Sequence, residues 1–396
     1  MRRTVLGLVL AVLAASAGCS RDKPAAAKPQ GPFAALAARL PAGSDLVLLA
    51  DLHRMAVSVS SLQQDLLALP AVESNPDLKR LLEGQLSLVR VMTTGLGKEL
   101  GLDPMRDLER AALGITLPDG ADPGLVLVVE GSFPDDLPGR LGGRPVEAKL
   151  AGHRVWRVGD GLQGVVLEKR MLLVADRAHL QPALDPSANE AGENLSATHP
   201  HLFAGAKQDF TLRSSFVVPG WLRERLAGAR GFPLTSTLAG IDDVFVEVAD
   251  GFVLAVGCKD ARVAENLRAL LEAESRMMTG TQHLLRGAAW WLLVLDLDAL
   301  PEITGEAGEV VASVLADREA LQATLEQVLP APKAPPPVTM ERHRVTLKAG
   351  PEALQGNLLL VGMAAAVAVP AFIEYYRKAD RASDVIRMHE EEAMKQ

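Results

Sequence analysis

Ile241-Asp-Asp-Val-Phe-Val-Glu-Val248 and Phe252-Val-Leu-Ala-Val256, joined through Asp250-Gly251, decide the fold. β-Branched and aromatic side chains suit a pleated surface. An Asp-Gly pair between two such runs is the strongest short-range signal for a hairpin, because glycine accepts the positive φ that a tight turn requires. Ala261 to Met277 then reads as a helix, so this part of the chain runs strand, strand, helix. Before it, Thr211 to Val217 reads as a strand, and Trp221 to Leu226 begins a helix.

Working toward the N-terminus, the same plan recurs. Asp45 to Asp51 is a short apolar run bounded by polar residues, a buried strand in length. Asn75-Pro76 forms a helix start, with asparagine as cap and proline in the first turn, and Leu78, Leu81, Leu82, Leu86 and Val89 follow at helical spacing. Gly101 to Asp107 leads into strands Ala111–Ile115 and Leu125–Glu130. His153–Val158, Gly164–Glu168 and Met171–Val174 follow at short intervals as an antiparallel meander. The expectation is an α+β fold of two related halves, residues 41–205 and 206–349, each an antiparallel sheet with packed helices. Ala288 to Leu295 is expected to be a core strand and Glu306 to Leu329 a long helix. After the Pro-rich break Pro330–Pro337, Arg344 to Lys348 is expected to close the sheet.

Composition narrows the function. The chain has 396 residues, 48% hydrophobic and 23% charged, a globular balance with room for two ordinary domains. A net charge of −8 argues against nucleic acid, which needs a basic face. Aromatic content of 4% disfavours sugar- or base-stacking platforms. With two cysteines, Cys19 and Cys258, there is no disulfide framework, and Cys258 ends an apolar strand as a small buried thiol.

The first 18 residues read as a signal peptide, with a basic start at Met1-Arg2-Arg3 and an apolar run from Thr4 to Ala17. Ser16-Ala17-Gly18-Cys19 resembles a bacterial lipobox, which implies acylation of Cys19 as the mature N-terminus. Ala15-Ser16-Ala17 also fits an ordinary cleavage site that releases a chain starting at Gly18. Residues 19–40 are read as the lipidated cysteine and a Pro/Ala-rich linker, of which Ser20–Pro32 has little to bury. Under the lipoprotein sorting habit, Ser20 implies the outer membrane, whereas a second anchor near the C-terminus is compatible with both anchors in the inner membrane, so the choice of membrane stays open.

At the other end, Leu358 to Ile373 is sixteen residues without a charge. Counting from Leu354 to Tyr376 reaches the roughly 20 residues that a bilayer requires. Tyr375 and Tyr376 suit the headgroup level, and Arg377 and Lys378 form the cationic flank of a cytoplasmic side. Residues 354–376 are therefore expected to span a membrane, with 377–396 a charged tail. Val361 to Lys378 resembles the hydrophobic helix of type IV pilins and pseudopilins. It departs from them in lying near the C-terminus and in carrying Val361 where their glutamate stands.

Pro41 to Asp51, Gly101 to Ile115, Ala151 to Asp176 and Leu238 to Met277 resemble segments of a poorly characterised family of bacterial envelope lipoproteins. The resemblance extends diffusely over residues 36–350 and implies an exported α+β body without known chemistry.

The candidate chemical motifs each have a plainer explanation. Gly159-Asp-Gly161-Leu-Gln-Gly164 has dinucleotide-motif spacing but leads into a β pattern, so its glycines make a turn. His199-Pro200-His201 lacks the second pair that a structural zinc needs and reads as loop histidines at a helix start; His153, His179 and His343 stand elsewhere. Asp242 and Asp243, adjacent in a strand, face opposite sides. Ser214-Ser215 and Ser60-Ser61 show no nucleophile elbow and no histidine partner. No catalytic, metal or cofactor residue is expected. The reading is a non-catalytic envelope lipoprotein with its body in the periplasm. Its partners would be the lipid bilayer and an envelope protein of unknown identity, and the alternative is a carrier of an apolar or lipid ligand.

Overall fold

The computed structural model describes residues 31–80, 82–84, 97–103, 105–147, 149–158, 161–185, 191–203, 209–228, 235–249, 251–294, 316–328 and 334–350. These fall into two compact units, one within Met1–Gln63, Leu88–Leu284 and Pro332–Pro351, the other within Gln64–Ser87, Leu285–Ala331 and Glu352–Gln396.

The first unit is α+β. Its strands are β1 (Leu46–Asp51), β2 (Leu108–Thr116), β3 (Gly124–Gly131), β4 (Arg144–Pro145), β5 (Trp156–Arg157), β6 (Leu162–Leu167), β7 (Met171–Asp176), β8 (Leu212–Val217), β9 (Ile241–Val248), β10 (Phe252–Cys258), β11 (Val338–Glu341) and β12 (Arg344–Ala349). They form one antiparallel sheet in the order β11-β12-β10-β9-β8-β1-β2-β3-β7-β6-β5-β4. The order of elements recurs on either side of the central β1–β8 pair. β1 is followed by a helix and the β2–β3 hairpin, and a later hairpin, β6–β7, sets β7 beside β3. β8 likewise leads to a helix and the β9–β10 hairpin, and a later hairpin sets β12 beside β10.

Strand alternation separates the two faces of this sheet. On one face, Leu49, Ala112, Val128, Leu173 and Val165 pair across neighbouring strands. Every one of them is 0 or 1% exposed. Phe33, Leu36 and Leu40, together with Leu180, Ala183, Leu195 and Leu202 from helices Arg177–Leu184, Ala191–Thr198 and Pro200–Phe203, seal that face. On the other face, Leu48, Leu113, Leu127 and Val174 form the adjacent row and are only half-buried. This row lies between two further clusters. Val263, Ala264 and Leu267 pack over Val244, Val256 and Val345, while Leu102, Phe133 and Leu137 pack over Ala111, Val129 and Leu172.

Local chemistry sets the boundaries. Asp176 caps the Arg177–Leu184 helix by accepting from the Ala178 and His179 amides. The β6–β7 turn is made by Glu168 and Lys169, both at positive φ (50° and 58°), where an Asn-Gly pair would be unstrained. Tertiary bonds hold it there, since Phe133 N–H donates to the Lys169 carbonyl and Gly131 N–H to that of Arg170.

In the second unit, Pro70–Glu73 packs on Arg318–Val328, with the Ala71 amide donating to Thr324 Oγ1 at 2.8 Å. Asn75 accepts from the Asp77 and Leu78 amides, as the sequence leads one to expect of a cap.

Four expectations change. Ala288 to Val294, expected within the strand Ala288 to Leu295, are helical: the helix that starts at Ala261 continues unbroken to Val294. A short apolar run fits either period, and no proline ends the helix earlier. The long helix expected over 306–329 starts afresh at Arg318, because Asp317 leaves the helix and accepts from the Ala320 amide; residues 306–315 lie outside the described residues. Phe33 to Leu40, expected to belong to the linker, are part of the fold, since Phe33, Leu36, Ala37 and Leu40 are buried. Strand 344–349 does not close the sheet, because β11, hidden behind the proline run, pairs outside it.

Candidate functional site

Cys19, Tyr375, Tyr376, Arg377 and Lys378 lie outside the described residues, as does the 354–376 segment. Among the described residues no helix is long and apolar enough to cross a membrane. Of the motif readings, Gly159-to-Gly164 leads into β6 rather than a helix, with Gly161 at φ 80°, and Cys258 is buried in β10. Polar chemistry concentrates instead on the sealed face of the sheet, along β8 and β9, and at the cap of helix Arg177–Leu184.

The first cluster corrects the sequence reading. Ser215 does have a histidine partner: its hydroxyl lies 2.9 Å from His199 Nδ1, and His199 Nε2 lies 2.8 Å from the Ser44 carbonyl. A carbonyl only accepts, so Nε2 carries the proton and Ser215 donates to Nδ1. His199 is not in an open loop; it joins helices Ala191–Thr198 and Pro200–Phe203 and is fully buried, with Ser215 3% exposed. Burial drives its pKa down to about 4, against the pull of the Ser44 bond, so the ring is neutral. The arrangement resembles a nucleophile and its base. With no exposure at the base, it works as a hydrogen-bonded pin tying the helix joint to β8 and to the turn before β1.

Beside it, Arg213 is buried, donates to Glu247 at 2.6 Å and to the Leu202 carbonyl at 3.1 Å, and stacks over Phe210 at 4.4 Å. Two strand pairs further along β9, Asp243 faces Arg344, 3.8 Å away. Gly257 pairs with Arg344 and has no side chain to block the reach. Arg344 also donates to His201 Nε2. Burial lifts the Asp243 carboxyl to about 7 despite the guanidinium, and Asp242 adds to the rise. Burial and then the Arg344 charge lower His201 to about 4. Asp242 pairs separately with Arg223, in keeping with the expected opposite facing of the two carboxylates.

The third cluster surrounds a cleft of about 180 Å³ lined by Arg39, Pro41, Ala42, His179, Pro182 and Ala183. Asp176 Oδ2 accepts from His179 Nδ1 at 2.7 Å and from the Leu125 amide at 2.9 Å. Burial pushes the Asp176 carboxyl up, but these bonds and the nearby His179 outweigh it, leaving the group below the usual range. Arg39 Nη1 donates to the carbonyls of Ala183 at 2.8 Å and Leu184 at 3.2 Å, at the end of the same helix.

Sequence reasoning missed all three clusters, because each depends on partners far apart in the chain, up to 155 residues. Only two signals were present: Pro200 marks a helix start with His199 at the joint, and Asp176 stands three residues before His179.

No family model matches this sequence, and no curated protein does. Among solved structures, crystal form I of TP0453 is similar over 82% of this chain and 96% of that one, at 9% identity and a TM-score of 0.32, too distant a superposition to carry an argument.

Proposed function

We propose that this chain is a non-catalytic envelope lipoprotein with a scaffold or binding role, acylated at Cys19, anchored also through residues 354–376, with its body in the periplasm. The observation that supports a non-catalytic body is the sealing of the Ser215–His199 pair. A base in acyl transfer must exchange a proton with solvent or substrate, and His199 is 0% exposed. The repeated strand order supports reading the body as two related halves, 41–205 and 206–349. The anchors rest on the residues quoted from the sequence.

The test has two arms. Carbonate extraction of a Cys19→Ser variant should leave it in the membrane pellet, and removal of 354–376 from that variant should release it. Release of Cys19→Ser alone would defeat the second anchor. Hydrolysis of ester or peptide substrates by the purified wild type, lost in Ser215→Ala, would defeat the non-catalytic reading.

A second reading, a carrier of an apolar or lipid ligand, draws on the half-buried row Leu48, Leu113, Leu127 and Val174. An environment-sensitive fatty-acid probe should then brighten on mixing with the protein and dim in Leu113→Lys. Equal signals from both would remove this reading.

A further inference from the structure

We infer that the cleft between Arg39 and His179 is a binding site for a small oxyanion, a carboxylate or a phosphate group. The inference stands on this cleft alone and does not depend on the envelope reading.

His179, Pro182 and Ala183 lie at helical spacing on one face of the Arg177–Leu184 helix, and Arg39, Pro41 and Ala42 form the opposite wall. Asp176 locks the imidazole in one orientation. Its two oxygens accept four hydrogen bonds, from His179 Nδ1 and the amides of Leu125, Ala178 and His179. A carboxylate only accepts, so Nδ1 carries a proton and Nε2 is left for the cleft. Gly124 leaves room for the ring, since a Cβ there would meet His179 Cε1 at 2.5 Å.

Arg39 supplies the donors. Only its Nη1 is used by described residues, on the two carbonyls that end the helix. Nε and Nη2 make no hydrogen bond to them, and Glu168 is the charge that acts on the guanidinium. The cleft thus sets an arginine fork and an imidazole edge of fixed orientation against proline and alanine walls. An arginine fork binds a planar carboxylate or a phosphate through charge-assisted bonds, and Nε2 can accept from a protonated oxygen of the same group. A metal ion would find one imidazole and a repelling guanidinium. A water's share of liquid volume is about 30 Å³, so the space suits a few-atom anion or a single acidic group of a larger molecule.

The experiment is an NMR titration of the full-length protein carrying isotope-labelled histidine, at constant ionic strength, with inorganic phosphate, acetate or chloride. One histidine resonance, assigned by its loss in His179→Gln, should move saturably with phosphate or acetate and not with chloride. The anion that binds more tightly identifies the class. Arg39→Gln should weaken binding by about tenfold. Should that variant unfold through loss of the helix-end bonds, Arg39→Lys keeps the charge without the fork and should weaken binding by about threefold. Absence of a saturable shift with either anion overturns the inference, as does a shift that a folded Arg39 variant leaves undiminished.

Discussion

Val128 and Leu127 are neighbours in one strand and belong to different environments. Val128 is 0% exposed, in a row of five aliphatic residues that helices cover from end to end. Leu127 is half-buried, in a row whose members Leu48, Leu113 and Val174 are half-buried too. Both rows are equally greasy, so hydrophobicity alone does not say which face becomes the core. What differs is the chain available to cover each row. Phe33, Leu36 and Leu40 and the three helices between β7 and β8 all fall on one side. Every buried polar contact of β8 and β9 described above also falls there: Ser215 with His199, and Arg213 with Glu247. A sealed face must satisfy its polar groups internally, whereas a half-covered face can leave that to water.

The largest expected effect tests that contrast directly. Val128→Asp places an uncompensated carboxylate in a sealed core, and the loss should exceed about 4 kcal/mol, enough to prevent folding. Leu127→Asp, one residue away, should cost only about 1–2 kcal/mol, because its carboxylate can keep solvent contact. Urea midpoints of the two variants check this. Equal losses would mean that both faces are closed and would remove the basis for an apolar ligand on the second.

Next comes the polar pin. His199→Ala leaves the Ser44 carbonyl and the Ser215 hydroxyl buried without their partner and opens a cavity, for a loss of about 3 kcal/mol at neutral pH. The pH dependence gives a sharper test. The folded-state pKa, about 4, lies below the ordinary histidine value of 6.5. The wild type therefore holds this contribution fully above pH 6.5 and loses it as pH falls toward 4. The gap between wild type and His199→Ala should narrow over that window. A gap that stayed constant would mean that the ring titrates normally and is not sealed.

How much of this was legible in the sequence follows from the range of the forces involved. β1, β3, β8 and the β9–β10 hairpin were readable, because alternation, apolar runs and Asp250-Gly251 are local signals. So was the Asn75 cap. The helical continuation through Ala288–Val294 was not, since Trp290, Trp291 and Leu292 suit a strand or a helix and only the preceding turns decide. β11 was hidden by the proline run before it. The clusters of the candidate site were the least legible. His199 reaches Ser44 across 155 residues, and Arg39 reaches Ala183 across 144. No spacing rule connects such partners, and the polar residues of a sealed face look in sequence like those of any loop.

Asp243 sits on the same side of the sheet as the pin but is less enclosed, and its expected effect is smaller and opposite in sign. Its folded-state pKa of about 7 is raised from 3.8. Between those values the folded chain retains a proton that the unfolded chain has released, so stability falls as pH rises from about 4 to about 7. Asp243→Asn cannot ionise, and it should gain about 2 kcal/mol on the wild type across that window. His199 and His201 push the other way over pH 4 to 6.5, so the wild-type curve alone hides the effect and the variant exposes it. If thermal melts show the same difference between Asp243→Asn and wild type at both ends of the window, Arg344 holds the carboxylate charged throughout.

The smallest effect concerns the turn that joins β6, which gives Val165 to the sealed row, to β7, which gives a residue to each row. Lys169 sits at φ 58°, where a side chain costs roughly 1 kcal/mol that glycine does not pay. Its ion pair with Asp135 spans 3.4 Å with both side chains about 70% exposed, so its loss matters little. Lys169→Gly also loosens the unfolded chain, which returns part of the gain. A net stabilisation of about 0.5 kcal/mol should therefore appear as a higher urea midpoint with an unchanged slope. A loss instead would mean that the bonds from Phe133 and Gly131 to this turn depend on the lysine side chain packing over them, and that the conformation is set by more than backbone preference.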